Sequence, residues 1–156
     1  MENEVDARLT DTARMRVDIT TGSGHPVAVD VGPDDGDDSG PSPMELVLAA
    51  LVGCTAMDVI SILRKKRQVP ASYLITGRGE RSERHPRVYT RIIVEHQVDA
   101  GVGAEAMRRS VELSATKYCP VSAMLSGTVR IEHRYRIGEA EAVVVVVTGP
   151  RGAVAA

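Results

Sequence analysis

Apolar residues follow two rhythms along this 156-residue chain. Met15, Val17 and Ile19 alternate with Arg14, Arg16 and Asp18, and alternation returns from Pro26 to Val31 after the turn residues Thr21-Gly22-Ser23-Gly24. Two period-two runs around such a turn predict a β-hairpin over Arg14–Thr20 and Pro26–Val31. Residues 1–10 carry a weaker pattern and either fray or pair as an edge strand. Gly32 to Pro41 is a run of Gly, Pro and Asp that reads as a flexible, solvated acidic loop. Alternation resumes at Ala71–Arg81 and Val88–Asp99, a second hairpin, and at Thr128–Ile137, where Val129, Ile131, His133 and Tyr135 share one face.

The other rhythm is helical. Ser42, Pro43 and Glu45 have capping-box spacing with proline at the first helical position, so a helix is predicted over Ser42–Lys66. From Leu46 to Cys54 nearly every position is apolar, which describes a helix buried all round. Glu45, Thr55, Asp58 and Ser61 interrupt the run, so a bilayer crossing is not expected. The basic cluster Arg64–Arg67 complements the helix dipole at its end. A second, amphipathic helix is predicted over Ala104–Lys117, opened by Gly103 and stopped by Cys119 and Pro120, with a short third one over Val121–Leu125. Residues 139–156, with five consecutive valines at 143–147, form either an edge strand or a tail.

The resulting order, β, β, α, β, β, α, β, argues for an α+β domain over residues 1–138 rather than a wound parallel sheet. A helix apolar on every side needs cover on every side. One small antiparallel sheet supplies one side, so the sheet curls round the helix or a second copy of the chain closes it.

Composition narrows the function. Hydrophobic residues make up 43%, enough for an ordinary core, yet Phe and Trp are absent and Tyr occurs four times, so no aromatic platform for stacked bases is available. A net charge of −2 gives no electrostatic reason for a nucleic-acid or anionic-membrane partner. The first ten residues lack the basic and apolar regions of a signal peptide, and two cysteines are too few for a disulfide scaffold, which points to a reducing cytoplasm. Cys54 and Cys119 are 65 positions apart and His25, His85, His96 and His133 are scattered without HxxxH or CxxC spacing, so neither a metal nor another cofactor is expected. Helical neighbours of Cys54 are Val47, Ala50, Leu51, Met57, Asp58 and Ser61, an apolar sleeve with one carboxylate a turn away. A peroxide-reactive thiol pair is one meaning of the two cysteines. From spacing alone the plainer one, Cys54 as a small buried hydrophobe, is favoured.

Resemblance shifts that balance. Ser42-Pro43-Met44-Glu45-Leu46, Leu51-Val52-Gly53-Cys54-Thr55-Ala56-Met57-Asp58 and Ser114-Ala115-Thr116-Lys117-Tyr118-Cys119-Pro120-Val121 resemble the signatures of the OsmC/Ohr family, closest to its OsmC-like, YhfA-type branch. The resemblance covers roughly Arg14 to Ile137. It implies an α+β fold in which two chains intertwine as a homodimer, antiparallel sheets wrapped around a buried central helix that carries the first cysteine. It further implies thiol-dependent reduction of organic hydroperoxides in oxidative stress defence. Cys54 would be the peroxidatic thiolate, Cys119 the resolving cysteine, and a dithiol of lipoyl type the reductant. The alternative is a non-catalytic module that binds a small apolar ligand at the dimer interface.

Two positions depart from the family pattern. Its peroxidases place a glutamate ten residues before the reactive cysteine, paired with an N-terminal arginine; here that position is Met44, and Glu45 is rotated from it by about 100°. No Arg or Lys occurs between Val17 and Gly53, so the cation would come from Arg14, Arg16 or elsewhere. Asp58 disfavours a Cys54 thiolate unless paired, and Lys117, two residues before Cys119, is the best candidate to reach Asp58 or the sulfur. Glu45 reads first as a helix cap, and His25 as a turn residue that could donate a hydrogen bond in the site.

Overall fold

Three antiparallel strands open the chain: β1 (Val5–Leu9), β2 (Val17–Thr21) and β3 (Pro26–Val29), in the order β1-β2-β3. The computed structural model describes residues 3–11 and 13–150, which divide into two compact units meeting in sequence at Val47 and Leu48. In the first unit Ile19 lies opposite Ala7 on one side and Val27 on the other, so the predicted hairpin is present and the residues before it supply the edge strand. The acidic loop after β3 is organised rather than merely solvated. Asp30, 1% exposed, accepts the N–H groups of Val31, Asp37 and Ser39 at 2.8, 3.3 and 3.1 Å and the Ser39 hydroxyl at 2.6 Å. Those donors pull its carboxyl down to about 2, the Ser39 hydroxyl most strongly. Gly36 is required there, because any Cβ would collide with Asp30 Oδ1 and the Val31 carbonyl.

Helix α1 (Pro43–Lys65) starts with the expected cap. Ser42 N–H and Oγ donate to Glu45 Oε2 at 2.8 and 2.7 Å, and Glu45 N–H donates back to Ser42 Oγ at 3.3 Å. The Ser42 hydroxyl, then its N–H, holds the Glu45 carboxyl below the usual range.

The second unit contains the rest of α1, strands β4 (Tyr73–Arg81) and β5 (Tyr89–Val98), helix α2 (Ala104–Leu113), a π-helical turn (Ser114–Tyr118), helix α3 (Pro120–Leu125), and strands β6 (Arg130–Ile137) and β7 (Val143–Thr148). The sheet order is β4-β5-β6-β7. The β4–β5 and β6–β7 pairs are antiparallel, but β5 and β6 run parallel, with Val94 beside His133 and His96 beside Tyr135. This corrects the expectation of purely antiparallel sheets: α2 and α3 carry the chain back across one face, so β6 re-enters in the direction of β5. The five valines lie in β7, a paired edge strand and not a tail.

Leu51, Thr55, Val59 and Leu63, spaced every fourth residue, form the buried stripe of α1. Val59 and Leu63 join Val98, Val102, Met107, Val111 and Tyr135 in the core. Each fully buried Leu or Val contributes about 1.5–3 kcal/mol relative to exposure. β4 comes close to α1 because position 77 has no side chain, and a Cβ there would sit 2.5 Å from Val52 Cγ2. The expectation of a helix buried all round fails for one chain: Ala49, Ala50, Gly53, Met57 and Ser61 are exposed, Met57 to 77%. Gly53, Met57 and Ser61 stand two positions, or about 200°, round from Leu51, Thr55 and Val59 of the buried stripe. Nor do the polar interruptions settle the membrane question, since α1 is long and apolar enough to cross a bilayer, with a mean hydropathy of 2.3 over its most apolar window. A core helix of a soluble protein passes the same test.

Candidate functional site

Two breaks in helical regularity bring the cysteines together. Cys54 sits half-buried in the middle of α1, where Asp58 follows at i+4 on the same face. Cys119 ends the expected second helix, but its last turn is wider than an α-turn: the Cys119 N–H donates to the Ser114 carbonyl, five residues back, at 3.0 Å. Pro120 then starts α3, and Cys119 becomes the residue that caps it. Its Sγ accepts the Ser122 N–H at 3.3 Å, and the residue is 3% exposed.

Cys54 Sγ, Cys119 Sγ and an Asp58 carboxylate oxygen all lie within 4.8 Å of one another. The other face of this cluster is held by Ser114, whose hydroxyl donates to Asp58 Oδ2 at 3.1 Å. Burial pushes the Cys119 thiol up to about 12; the neighbouring Cys54 thiol and the Asp58 charge push the same way, and the Ser122 N–H opposes them. A groove of about 310 Å³, bordered by Lys117, Ser126 and Thr148, reaches Cys119.

Behind Cys119 lies a buried polar chain. Ser122 Oγ is 3.5 Å from both the Ala115 carbonyl and His133 Nε2. His133 and His96 are fully buried, and Tyr73 Oη is 2.6 Å from His96 Nδ1. Desolvation lowers His133 to about 4 and His96 to about 3, the latter aided by His133, so both are neutral at ordinary pH. Among the described residues, none is a hydrogen-bond partner for His133 Nδ1 or His96 Nε2.

Cys54, Asp58 and Cys119 were legible as candidates, and the fold assembles them. Lys117 goes elsewhere: it is exposed, with Nζ 5.4 Å from the centre of the Tyr118 ring, and none of the ion pairs among the described residues includes Asp58. The wide turn carries Lys117 outward, and Ser114 supplies the partner that Lys117 was expected to be. The remaining candidates have local partners within the first unit. Arg16 pairs with Asp18 at 3.0 Å and donates to Ser39 Oγ at 2.9 Å; Arg14 pairs with Asp37 at 3.4 Å. His25 lies exposed in the β2–β3 turn, its backbone bonded to Thr21, and Glu45 caps α1. Ser114, Ser122 and His133 were missed, although the period-two pattern had already put His133 on an apolar strand face.

This chain belongs to the OsmC-like protein family: the family description "OsmC-like protein" matches residues 36–134, a span that holds both Cys54 and Cys119. It is similar to Protein YhfA of Escherichia coli (strain K12), 42% identical over 117 residues that cover 74% of this chain and 84% of that one. A hypothetical protein from Aquifex aeolicus VF5 has a similar structure, with a TM-score of 0.73, 30% identity, and coverage of 89% of this chain and 99% of the other. The organic hydroperoxide resistance protein OhrB of Bacillus subtilis shares the fold at 18% identity, with a TM-score of 0.59 and coverage of 87% and 98%.

Proposed function

We propose that this protein is a thiol-dependent hydroperoxide reductase of oxidative stress defence, acting in the cytoplasm as a homodimer. The observation that carries the reading is the approach of the two sulfurs to within 4.8 Å of one another. Organic hydroperoxide resistance in the names of structural relatives supports the substrate class.

Cys54 is the attacking residue. It is the more accessible thiol, while Cys119 is buried and pushed far above neutral pH, and the thiolate is the nucleophile. The Cys54 thiolate attacks the terminal peroxide oxygen, the O–O bond breaks, and the departing alkoxide takes a proton to leave as alcohol. Cys54 is then a sulfenic acid. The Cys119 sulfur attacks it, its proton leaves with the hydroxyl as water, and a disulfide forms. A dithiol reductant, possessing two electrons to give, restores both thiols by exchange. An apolar wall suits the alkyl part of the substrate, because burying it is favourable by about 25 cal/mol per Å².

Pairing of two copies is supported by the exposed stripe Ala50, Gly53, Met57 and Ser61 on α1, which is small and largely apolar. Such a face is costly to leave in water.

The test is to treat reduced, chelator-washed protein with cumene hydroperoxide or with hydrogen peroxide. The expected result is loss of two thiols per chain with a 54–119 bridge, faster with cumene hydroperoxide, and a trapped sulfenic acid in Cys119→Ser. Thiols that stay reduced in excess peroxide overturn the reading.

A further inference from the structure

The peroxide chemistry uses two sulfurs and leaves Asp58 without a task. Its carboxylate lies within 4.8 Å of both, and its charge is one of the causes that make Cys119 harder to ionise. No ion pair among the described residues compensates it. Two thiols and a carboxylate facing one another without a cation form the donor set of a borderline-soft metal ion.

We propose that the reduced Cys54–Asp58–Cys119 cluster binds a thiophilic divalent cation of the Zn²⁺ class, one per chain, and that the cation competes with peroxide for the two sulfurs. Cys54 and Asp58 present donors from one helix face at i and i+4, and Cys119 adds the third from the break before α3. Around a tetrahedral ion with bonds of roughly 2.0–2.3 Å, donor atoms stand about 3.5–3.8 Å apart, so a contraction of about an ångström completes the site. Outer partners are already in place. Ser114 donates to Asp58 Oδ2 and holds the carboxylate in place, while the Ser122 N–H orients the Cys119 sulfur. Binding is not redox chemistry: two S–H bonds give way to two S–metal bonds, two protons are released, and the fourth position stays open to water. Only the competition rests on the peroxide reading; the binding stands without it.

The experiment uses the full chain, reduced and stripped of metal under argon, with Co²⁺ as the optical probe. Expected are a thiolate-to-cobalt band in the near ultraviolet that saturates at one equivalent per chain, release of about two protons, and bleaching of the band by Zn²⁺. Saturating Zn²⁺ slows the reaction of both thiols with an aromatic disulfide at least tenfold, and a chelator restores it. Asp58→Asn weakens Co²⁺ binding by more than tenfold, and Ser114→Ala by about 10- to 100-fold. Absence of the band overturns the proposal, as does an affinity unchanged in Asp58→Asn, since that leaves a dithiol site without the carboxylate. Peroxide oxidation is assayed separately in chelator: inert thiols in a protein that still binds Co²⁺ overturn the function proposed above and leave the metal site standing, and the converse result does the reverse.

Discussion

Ser114 Oγ donates to Asp58 Oδ2 at 3.1 Å, and this bond ties the π-helical turn to the cysteine helix across 56 residues of sequence. It gives a half-buried carboxylate a partner where no ion pair among the described residues does. It also fixes the start of the wide turn whose far end delivers Cys119.

Removing that hydroxyl leaves the carboxylate short of a donor. Ser114→Ala is expected to lower unfolding stability by about 1.5–3 kcal/mol, the range for hydrogen bonds to charged groups. Urea denaturation of the reduced protein measures it. A midpoint unchanged from the parent protein contradicts the role given to Ser114.

Gly77 sets the distance between β4 and α1 one turn before Cys54, where an added Cβ would meet Val52 Cγ2 at 2.5 Å and Leu48 at 3.2 Å. Gly77→Val is expected to destabilise by about 1–3 kcal/mol through overpacking and to slow 54–119 bridge formation by displacing α1. Gly79→Ala serves as a comparison, because its added Cβ meets the Tyr89 ring instead. Equal bridging rates in both variants count against the argument.

His96 and His133 are neutral in the fold and lie below the ordinary histidine value, at about 3 and about 4. The unfolded chain therefore binds protons that the folded chain refuses once pH falls below about 6.5. Stability is expected to be level above that pH and to fall by about 1.4 kcal/mol per pH unit per histidine below it, His133 ceasing to contribute near pH 4 and His96 near pH 3. Replacing His133 with Gln should make the acid limb shallower by one proton, as read from denaturation midpoints between pH 4 and 7. An unaltered slope refutes the assignment.

Met57, 77% exposed on the open stripe of α1, tests the pairing of two copies. Met57→Glu is expected to convert a dimer to a monomer in sedimentation equilibrium at micromolar concentration, because a charge in an apolar interface is costly to desolvate. A parent protein that is itself monomeric disproves the dimer.

Local chemistry was the legible part. The Ser42–Glu45 cap, the alternation of β2 through β6 and the stop at Pro120 depend on neighbours in sequence, and they stand as read. Strand direction is different, because alternation at positions 92, 94 and 96 is the same whether β6 arrives parallel or antiparallel. The wide turn at Ser114–Tyr118 was invisible for a related reason: its residues have ordinary helical preferences, so nothing in their types distinguishes it from an α-turn. That turn explains why Lys117, expected near Asp58 because it lies two residues before Cys119, points outward instead. The even apolar run of α1 concealed which stripe faces its own sheet.

The crossover between β5 and β6 has a consequence for synthesis. Cys54 is made 65 residues before Cys119, so the nascent chain holds a solitary sulfhydryl while β4, β5 and α2 are synthesised. An oxidant that reaches Cys54 in that interval meets a thiol with no Cys119 to resolve its sulfenic acid.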